Sequence, residues 1–351
     1  MKKSFIKKIF LLSLCLIINV SLLVGCDNSN KKEINIFNWT EYIPQNVLDD
    51  FEKEYGIKVN YSNYSSNDEL LAKLKSSSEG TYDVIVPSDY MMEIMSKSGL
   101  IQELDKSKFT NFKNLDEAAL NQDFDKDNSY SVPFLAGGVA IAINTDIVKE
   151  DIKSYKDLLN SKYKESIVLL DEQRAVIGMA LKATNHSMND YSDESLNDAK
   201  EYLMKLKPNI KAFDSDSPKT ALITGEAGIG VIWNAEISLA MSEKDNIKVV
   251  YPQEGIYLNM DNFAIPKGAK NIDSAYLFID YMLRPEVITK VSEAYPYRVI
   301  NKAAYDILSD SYKNNKASNI PKEEIVKGEY IKDIGENTSK FDKLWSEFKG
   351  E

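Results

Sequence analysis

The stretch KEINIFNWTEYIPQNVLDDFEKEYGIKVNYSNY, residues 32–64, changes its hydrophobic period twice. KEINIFN alternates apolar and polar residues, as a half-buried strand does. After Pro44 and Asn46, the apolar positions Val47, Leu48, Phe51 and Tyr55 fall at helical spacing, and Gly56 follows as a C-terminal stop. IKVNYSNY then alternates again. Asp68 to Lys75 predicts a second helix with Leu70, Leu71 and Leu74 inward, and TYDVIVPSDY (81–90) a third strand apolar enough to be buried on both faces. Strand–helix–strand–helix–strand requires right-handed crossovers, so the expectation is an α/β fold on a parallel sheet.

Farther along, SVPFLAGGVAIAINTDIV (131–148) is a long apolar strand broken by Gly137-Gly138, with room to pass from one lobe to another. Helix and strand then alternate again through SYKDLLN, SIVLLDEQRAVIGMALKA, LNDAKEYLMKLK and GEAGIGVIW. DNFAIPKGAKNIDSAYLFIDYML reads as a short strand, a Pro-Gly turn and a helix. No repeat or low-complexity tract appears, and the acid- and lysine-rich C-terminus predicts solvated helices. Beyond its first segment the chain keeps roughly 325 residues, more than one domain usually holds, which predicts two lobes.

That first segment is MKKSFIKK, with four lysines and no acid, followed by the apolar run IFLLSLCLIINVSLLVGC. A basic start and about sixteen mostly apolar residues are the layout of a secretory signal, shorter than a bilayer span. Residues 1–25 are therefore expected to be the signal. Leu23-Val24-Gly25-Cys26 resembles a bacterial lipobox, which predicts lipidation of Cys26 and makes residues 26–32 a polar tether. A plain signal with an incidental cysteine is the alternative. The other cysteine, Cys15, leaves with the signal, so no internal disulfide is possible and the fold must rest on a hydrophobic core.

The net charge is −11, and loss of Lys2, Lys3, Lys7 and Lys8 makes the rest four units more negative. Such a chain is a poor partner for nucleic acid or anionic lipid and suits a cationic ligand. One histidine, His186, lies in the polar stretch ATNHSMND and is expected at the surface. With one histidine and one remaining cysteine, histidine–cysteine metal sites and Ser/His/Asp or Cys/His nucleophiles are excluded. No phosphate-binding loop or dinucleotide glycine motif is present, and no cofactor is expected.

Ligands of open α/β sheets bind beyond the carboxyl ends of strands. Each predicted strand end here carries aromatic rings, acids or both. Trp39, Thr40, Glu41 and Tyr42 follow the first strand, and Ser88, Asp89 and Tyr90 the third. Asp171 and Glu172 follow SIVLL, Trp233, Asn234 and Glu236 follow GIGVI, and Asp261 precedes FAIP, with Tyr295 and Tyr297 in EAYPYR. Taken singly, each fits ordinary packing, a turn or a helix start. Together they fit a protonated amine. Ring faces attract ammonium by about 0.5–2 kcal/mol each, and carboxylates add charge-assisted bonds of roughly 1.5–3 kcal/mol.

The blocks FNWTEYIP, FEKEYGIKV, AKLKSSSEGTYDVIVPSDY, GLIQELDKSKFTNFKNLD, FDKDNSYSVPF, GVIWN, MDNFAIPKGAKN and YMLRPEV resemble the spermidine/putrescine-binding proteins of bacterial ABC importers. The likeness runs from about Ile34 to near the C-terminus. It implies the type II periplasmic-binding-protein fold, with two lobes, each a mainly parallel sheet flanked by helices, joined by crossing hinge strands. On that basis residues 33–137 with 261–304 form one lobe and 138–260 with 305–351 the other. It also implies a monomer without catalysis, lipid-anchored on the extracytoplasmic face of the cell membrane, that delivers a polyamine to a permease while a separate subunit hydrolyses ATP.

Position by position, the resemblance makes Trp39 and Trp233 ring platforms for the methylene chain and Tyr42, Tyr90 and Tyr297 aromatic walls. Thr40, Glu41 and Ser88 would bind one end of the ligand, Asp261 a cationic nitrogen, and Glu172, or Asp171 if the register slips, a terminal ammonium. The chain departs from the family at Ala175, Asn259 and Ile331, where a carboxylate, a tryptophan and a glutamine are usual. Those losses point toward the shorter putrescine, with Glu236 a replacement carboxylate. Other readings on the same fold are another small organic cation, ferric iron held near Tyr295 and Tyr297, or a surface sensor without transport.

Overall fold

The computed structural model describes residues 32–350, so the expected signal (1–25), the Cys26 lipidation site and nearly all of the tether fall outside it. The chain enters through β1 (Glu33–Trp39), α1 (Gln45–Tyr55), β2 (Lys58–Tyr64), α2 (Asn67–Ser76), β3 (Val84–Ile85) and α3 (Asp89–Lys97). These strands form a parallel sheet in the order β2-β1-β3, as the alternation predicts, with Ile36 between Tyr61 and Val84. Gly56 ends α1 in the left-handed region at φ 65°, where glycine carries no Cβ penalty, and returns its N–H to Glu52 O. The third strand is shorter than the ten apolar-rich residues suggest. Pro87 has no N–H to give a ladder, and Ser88 already caps α3.

The rest of the chain builds an eight-stranded sheet from β4 (Val132–Asn144), β5 (Ile167–Leu169), β6 (Ile210–Phe213), β7 (Ile229–Trp233), β8 (Ile247–Val250), β9 (Tyr257–Phe263), β10 (Arg298–Val299) and β11 (Glu329–Tyr330). Its main path is β11-β9-β4-β7-β5-β6, with β8 and β10 also pairing with β4. Helices α4 (Gln173–Ala183), α5 (Asp193–Leu206), α6 (Lys219–Ile223) and α7 (Asn234–Glu243) connect the parallel part, while α8 (Ile272–Met282) and α9 (Pro285–Ala294) follow β9.

Two antiparallel strands stitch the sheets together. β4 pairs with β9 through its first half and with β7 through its second, and Ala264, just past β9, bridges to Ile85 of the parallel sheet. The glycine pair inside β4 has a packing reason. A Cβ on Gly137 would lie 2.7 Å from Asn234 Oδ1, and one on Gly138 2.8 Å from Tyr257 O. β9 itself is longer than expected and buried at all seven residues.

One apolar core lies against the three-stranded sheet, where Phe134 meets Phe263 at 4.3 Å and Phe51 meets Phe278 at 5.2 Å between ring centroids. A second, larger core covers β5, β7 and the later half of β4, and contains Phe341, Leu344 and Phe348. Those three belong to the C-terminal helix Thr338–Lys349, which is therefore amphipathic rather than solvated all round. Full burial of each such side chain is worth about 1.5–3 kcal/mol, enough to dock a helix whose other face is charged.

Candidate functional site

Trp39 and Trp233 are the last residues of β1 and β7, and Tyr64 the last of β2, so three rings stand at strand carboxyl ends. The Trp39 indole N–H donates to Val86 O at 2.9 Å, and its ring sits 4.7 Å from Tyr64, which fixes its plane. Tyr64 donates its own hydroxyl to the same carbonyl at 2.6 Å. Trp233 packs on Tyr257 at 5.7 Å, and Tyr42 on Tyr297 at 5.0 Å. Between these rings runs a narrow slot that Thr40, Ser88, Asn259 and Asp261 also line.

Asp261 is the slot's buried acid. Its carboxylate is 3 % exposed and accepts three side-chain hydrogen bonds. Ser88 Oγ donates at 2.8 Å, Asn259 Nδ2 at 3.1 Å, and the Tyr42 hydroxyl makes a short third bond. Burial pushes the Asp261 carboxyl up to about 6, and the three donors hold it from rising further. Burial likewise raises the Tyr42 phenol well above its ordinary value, which keeps it protonated and donating.

Glu172 lines an adjoining pocket that shares Ser65, Ser215 and Asp216 with the slot. Its carboxyl is pushed up to about 8 by burial first, then by the charges of Asp68 and Asp261, against the opposing pull of Arg174. No lysine or arginine among the described residues forms an ion pair with Asp261 or Glu172. Both acids stand outside any ion pair, although the Arg174 charge acts on Glu172 from nearby.

Seven of the eleven expected ligand residues thus share one slot: Trp39, Thr40, Tyr42, Ser88, Trp233, Asp261 and Tyr297. Four stand elsewhere. Asp171 shares the adjoining pocket with Glu172, but it is exposed and pairs with Lys349 at 2.8 Å. Tyr90 is buried under the Arg174 guanidinium, 5.6 Å from its ring centroid. Glu41, in the left-handed region at φ 50°, turns to Lys219. Glu236, the suggested replacement carboxylate, is held by the same lysine. Tyr64 was legible by the strand-end rule and overlooked; Ser215 and Asp216 come just past β6 (Ile210–Phe213), a strand the pattern did not single out, and Lys219 lies on α6, where nothing in the pattern marks it. His186 lies apart, hydrogen-bonded to Asp198 at 2.9 Å. Among the described residues no group of three His, Cys, Asp or Glu is placed to hold a metal ion.

Residues 46–320 match the family described as bacterial extracellular solute-binding protein. The chain is 40% identical over 322 residues to the spermidine/putrescine-binding periplasmic protein of Salmonella typhimurium, covering 92% of each. Among solved structures it is similar to a putative spermidine/putrescine ABC transporter from Listeria monocytogenes, with TM-score 0.87, 33% identity and coverage of 91% of this chain and 99% of that one. A spermidine/putrescine ABC transporter substrate-binding protein from Streptococcus pneumoniae, in complex with calcium and HEPES, aligns with TM-score 0.78 at 34% identity over the same shares.

Proposed function

The chain belongs to the bacterial extracellular solute-binding proteins, and from that membership we propose that it binds putrescine or spermidine outside the cytoplasm and hands it to an ABC import permease. It is a binding protein and not an enzyme. The observation that carries the reading is Asp261, a buried carboxylate without a cation at the floor of a slot walled by Trp39, Trp233, Tyr42 and Tyr297. A desolvated carboxylate penalises neutral ligands by leaving its own charge unpaired, while the rings accept both methylenes and ammonium groups. Glu172 in the adjoining pocket takes the second ammonium.

Closure is by the hinged trap common to two-lobed binders. Residues 33–137 with 261–304 move as one lobe and 138–260 with 305–351 as the other, about the crossing strands β4 and β9. Ligand binding shifts the open–closed equilibrium toward the closed form. Cys26 carries the lipid that keeps the monomer at the extracytoplasmic face of the membrane. A few ring and carboxylate contacts, less the cost of ordering, give affinity near micromolar, about −8 kcal/mol.

Calorimetric titration of putrescine, spermidine and spermine into protein lacking residues 1–26 tests the reading. Saturable one-site binding of at least one amine is expected. Absence of heat and of Trp quenching with all three defeats it.

A further inference from the structure

Lys219, the first residue of α6, meets four acceptors close in sequence to the two tryptophans of the slot. Its Nζ lies 2.8 Å from Glu41 Oε2, 3.0 and 3.2 Å from the two oxygens of Glu236, and 3.2 Å from Ser217 Oγ. Glu41 comes from the loop after β1 in the parallel sheet, two residues past Trp39; Glu236 lies in the first turn of α7, three past Trp233. The bridge therefore joins the elements that carry the two tryptophan walls. Only 13% of the Lys219 side chain and 8% of the Glu236 side chain remain exposed, so this is not a loose surface pair. Burial opposes the ammonium, but the bonds to Glu41 and Glu236 outweigh it and hold Lys219 above the usual lysine range.

We propose that Lys219 determines specificity: it is an ammonium supplied by the protein that fills the cation position between Glu41 and Glu236, so the cleft selects an alkyl diamine over a triamine. The inference rests on the amine-binding reading above. A three-donor ammonium saturated by four oxygens has no vacancy to share, and a ligand ammonium could enter only by displacing it. The buried carboxylates left for ligand in the cleft are then two, Asp261 and Glu172. Asp68, whose charge already raises Glu172, and Asp216 are exposed to solvent and stay hydrated without a cation, so neither is a buried acid left unpaired. A third ammonium would leave water without a buried partner, and that desolvation is unfavourable.

Putrescine and spermidine are titrated calorimetrically into wild type, K219M, K219R and the double variant K219M/E236Q, with a thermal melt of each to verify folding. Wild type is expected to favour putrescine by tenfold or more. K219M uncovers Glu41 and Glu236 and shifts the ratio of dissociation constants at least tenfold toward spermidine. K219R keeps the wild-type ratio, and adding E236Q to K219M takes back most of the shift. Spermidine preference in wild type, an unchanged ratio in K219M, or weakening of both amines by one common factor overturns the proposal while leaving amine binding intact. If wild type binds neither amine, the underlying reading fails instead, and the specificity of Lys219 fails with it.

Discussion

Ser88 and Asp261 meet twice. Their backbones form an isolated antiparallel bridge, and Ser88 Oγ donates to Asp261 Oδ1 at 2.8 Å. The first residue precedes a helix at the end of the parallel sheet; the second lies on a strand that crosses between sheets. The acid proposed above to receive the ligand's ammonium is thus built into the seam between the two sheets. On the proposed hinged closure, a cation there would touch the elements that move.

Replacing Asp261 by Asn removes the charge and keeps the shape. One charge-assisted bond is worth roughly 1.5–3 kcal/mol, so amine affinity should fall about ten- to a hundredfold. The melting temperature of the free protein should hold or rise, because a buried charge lacking a cation opposes folding. Calorimetry with a thermal melt checks both. Wild-type affinity in D261N would show that the amine binds elsewhere.

Binding should strengthen as pH rises from 5 to 8. Alkyl ammonium groups stay charged throughout that range, with ordinary values near 10. Asp261 and Glu172, by contrast, are raised from 3.8 to about 6 and from 4.5 to about 8, so the free protein holds protons at pH 5 that the ligand must expel. In the free protein both folded values lie above the unfolded ones, so their contribution to stability is present at low pH and is lost as pH rises through 6 and then 8. The ligand-induced gain in melting temperature should therefore be larger at pH 8 than at pH 5. Calorimetry in buffers of different ionisation enthalpy should detect net proton release at pH 6. A thermal gain that shrinks toward pH 8 contradicts this assignment.

The two tryptophans should separate binding from stability. Each ring face is worth about 0.5–2 kcal/mol to an ammonium, so W39A and W233A should each weaken binding by a few-fold to about thirtyfold. Trp39 also holds Val86 O and packs on Tyr64, so W39A should lower the melting temperature more than W233A. Fluorescence of the remaining tryptophans during amine titration, beside a melt of each variant, measures both effects.

Much of this was legible because strands announce themselves by period and this fold places its chemistry where strands end. Trp39, Trp233 and Ser88 follow from that rule, whereas Asp261 lies inside β9 and not at a strand end. Lys219 does not follow from it either. It lies on a helix of five residues, and only the folded chain shows that it faces Glu41, 178 positions away. The truncation of β3 and the buried face of the C-terminal helix were hidden for related reasons. In the first, a proline and a cap outweigh apolar propensity; in the second, Phe341, Leu344 and Phe348 are thinly spread among lysines and acids. Tertiary partners decide such cases, and period alone cannot supply them.

Gly137 offers a last test of the link between strand packing and recognition. A Cβ there would meet Asn234 Oδ1 at 2.7 Å, Asn259 Oδ1 at 2.9 Å and Tyr297 Cδ1 at 3.2 Å. Asn259 is the group that donates to Asp261 at 3.1 Å, and Tyr297 walls the slot. G137A should therefore destabilise by about 1–3 kcal/mol, as overpacking does, and weaken amine binding as well. Gly56 provides the control: its φ of 65° makes alanine strained, yet nothing stands within 4 Å of the added carbon. G56A should lower the melting temperature alone and leave the dissociation constant unchanged. Equal dissociation constants in the two variants would mean that β4 does not transmit its packing to Asp261.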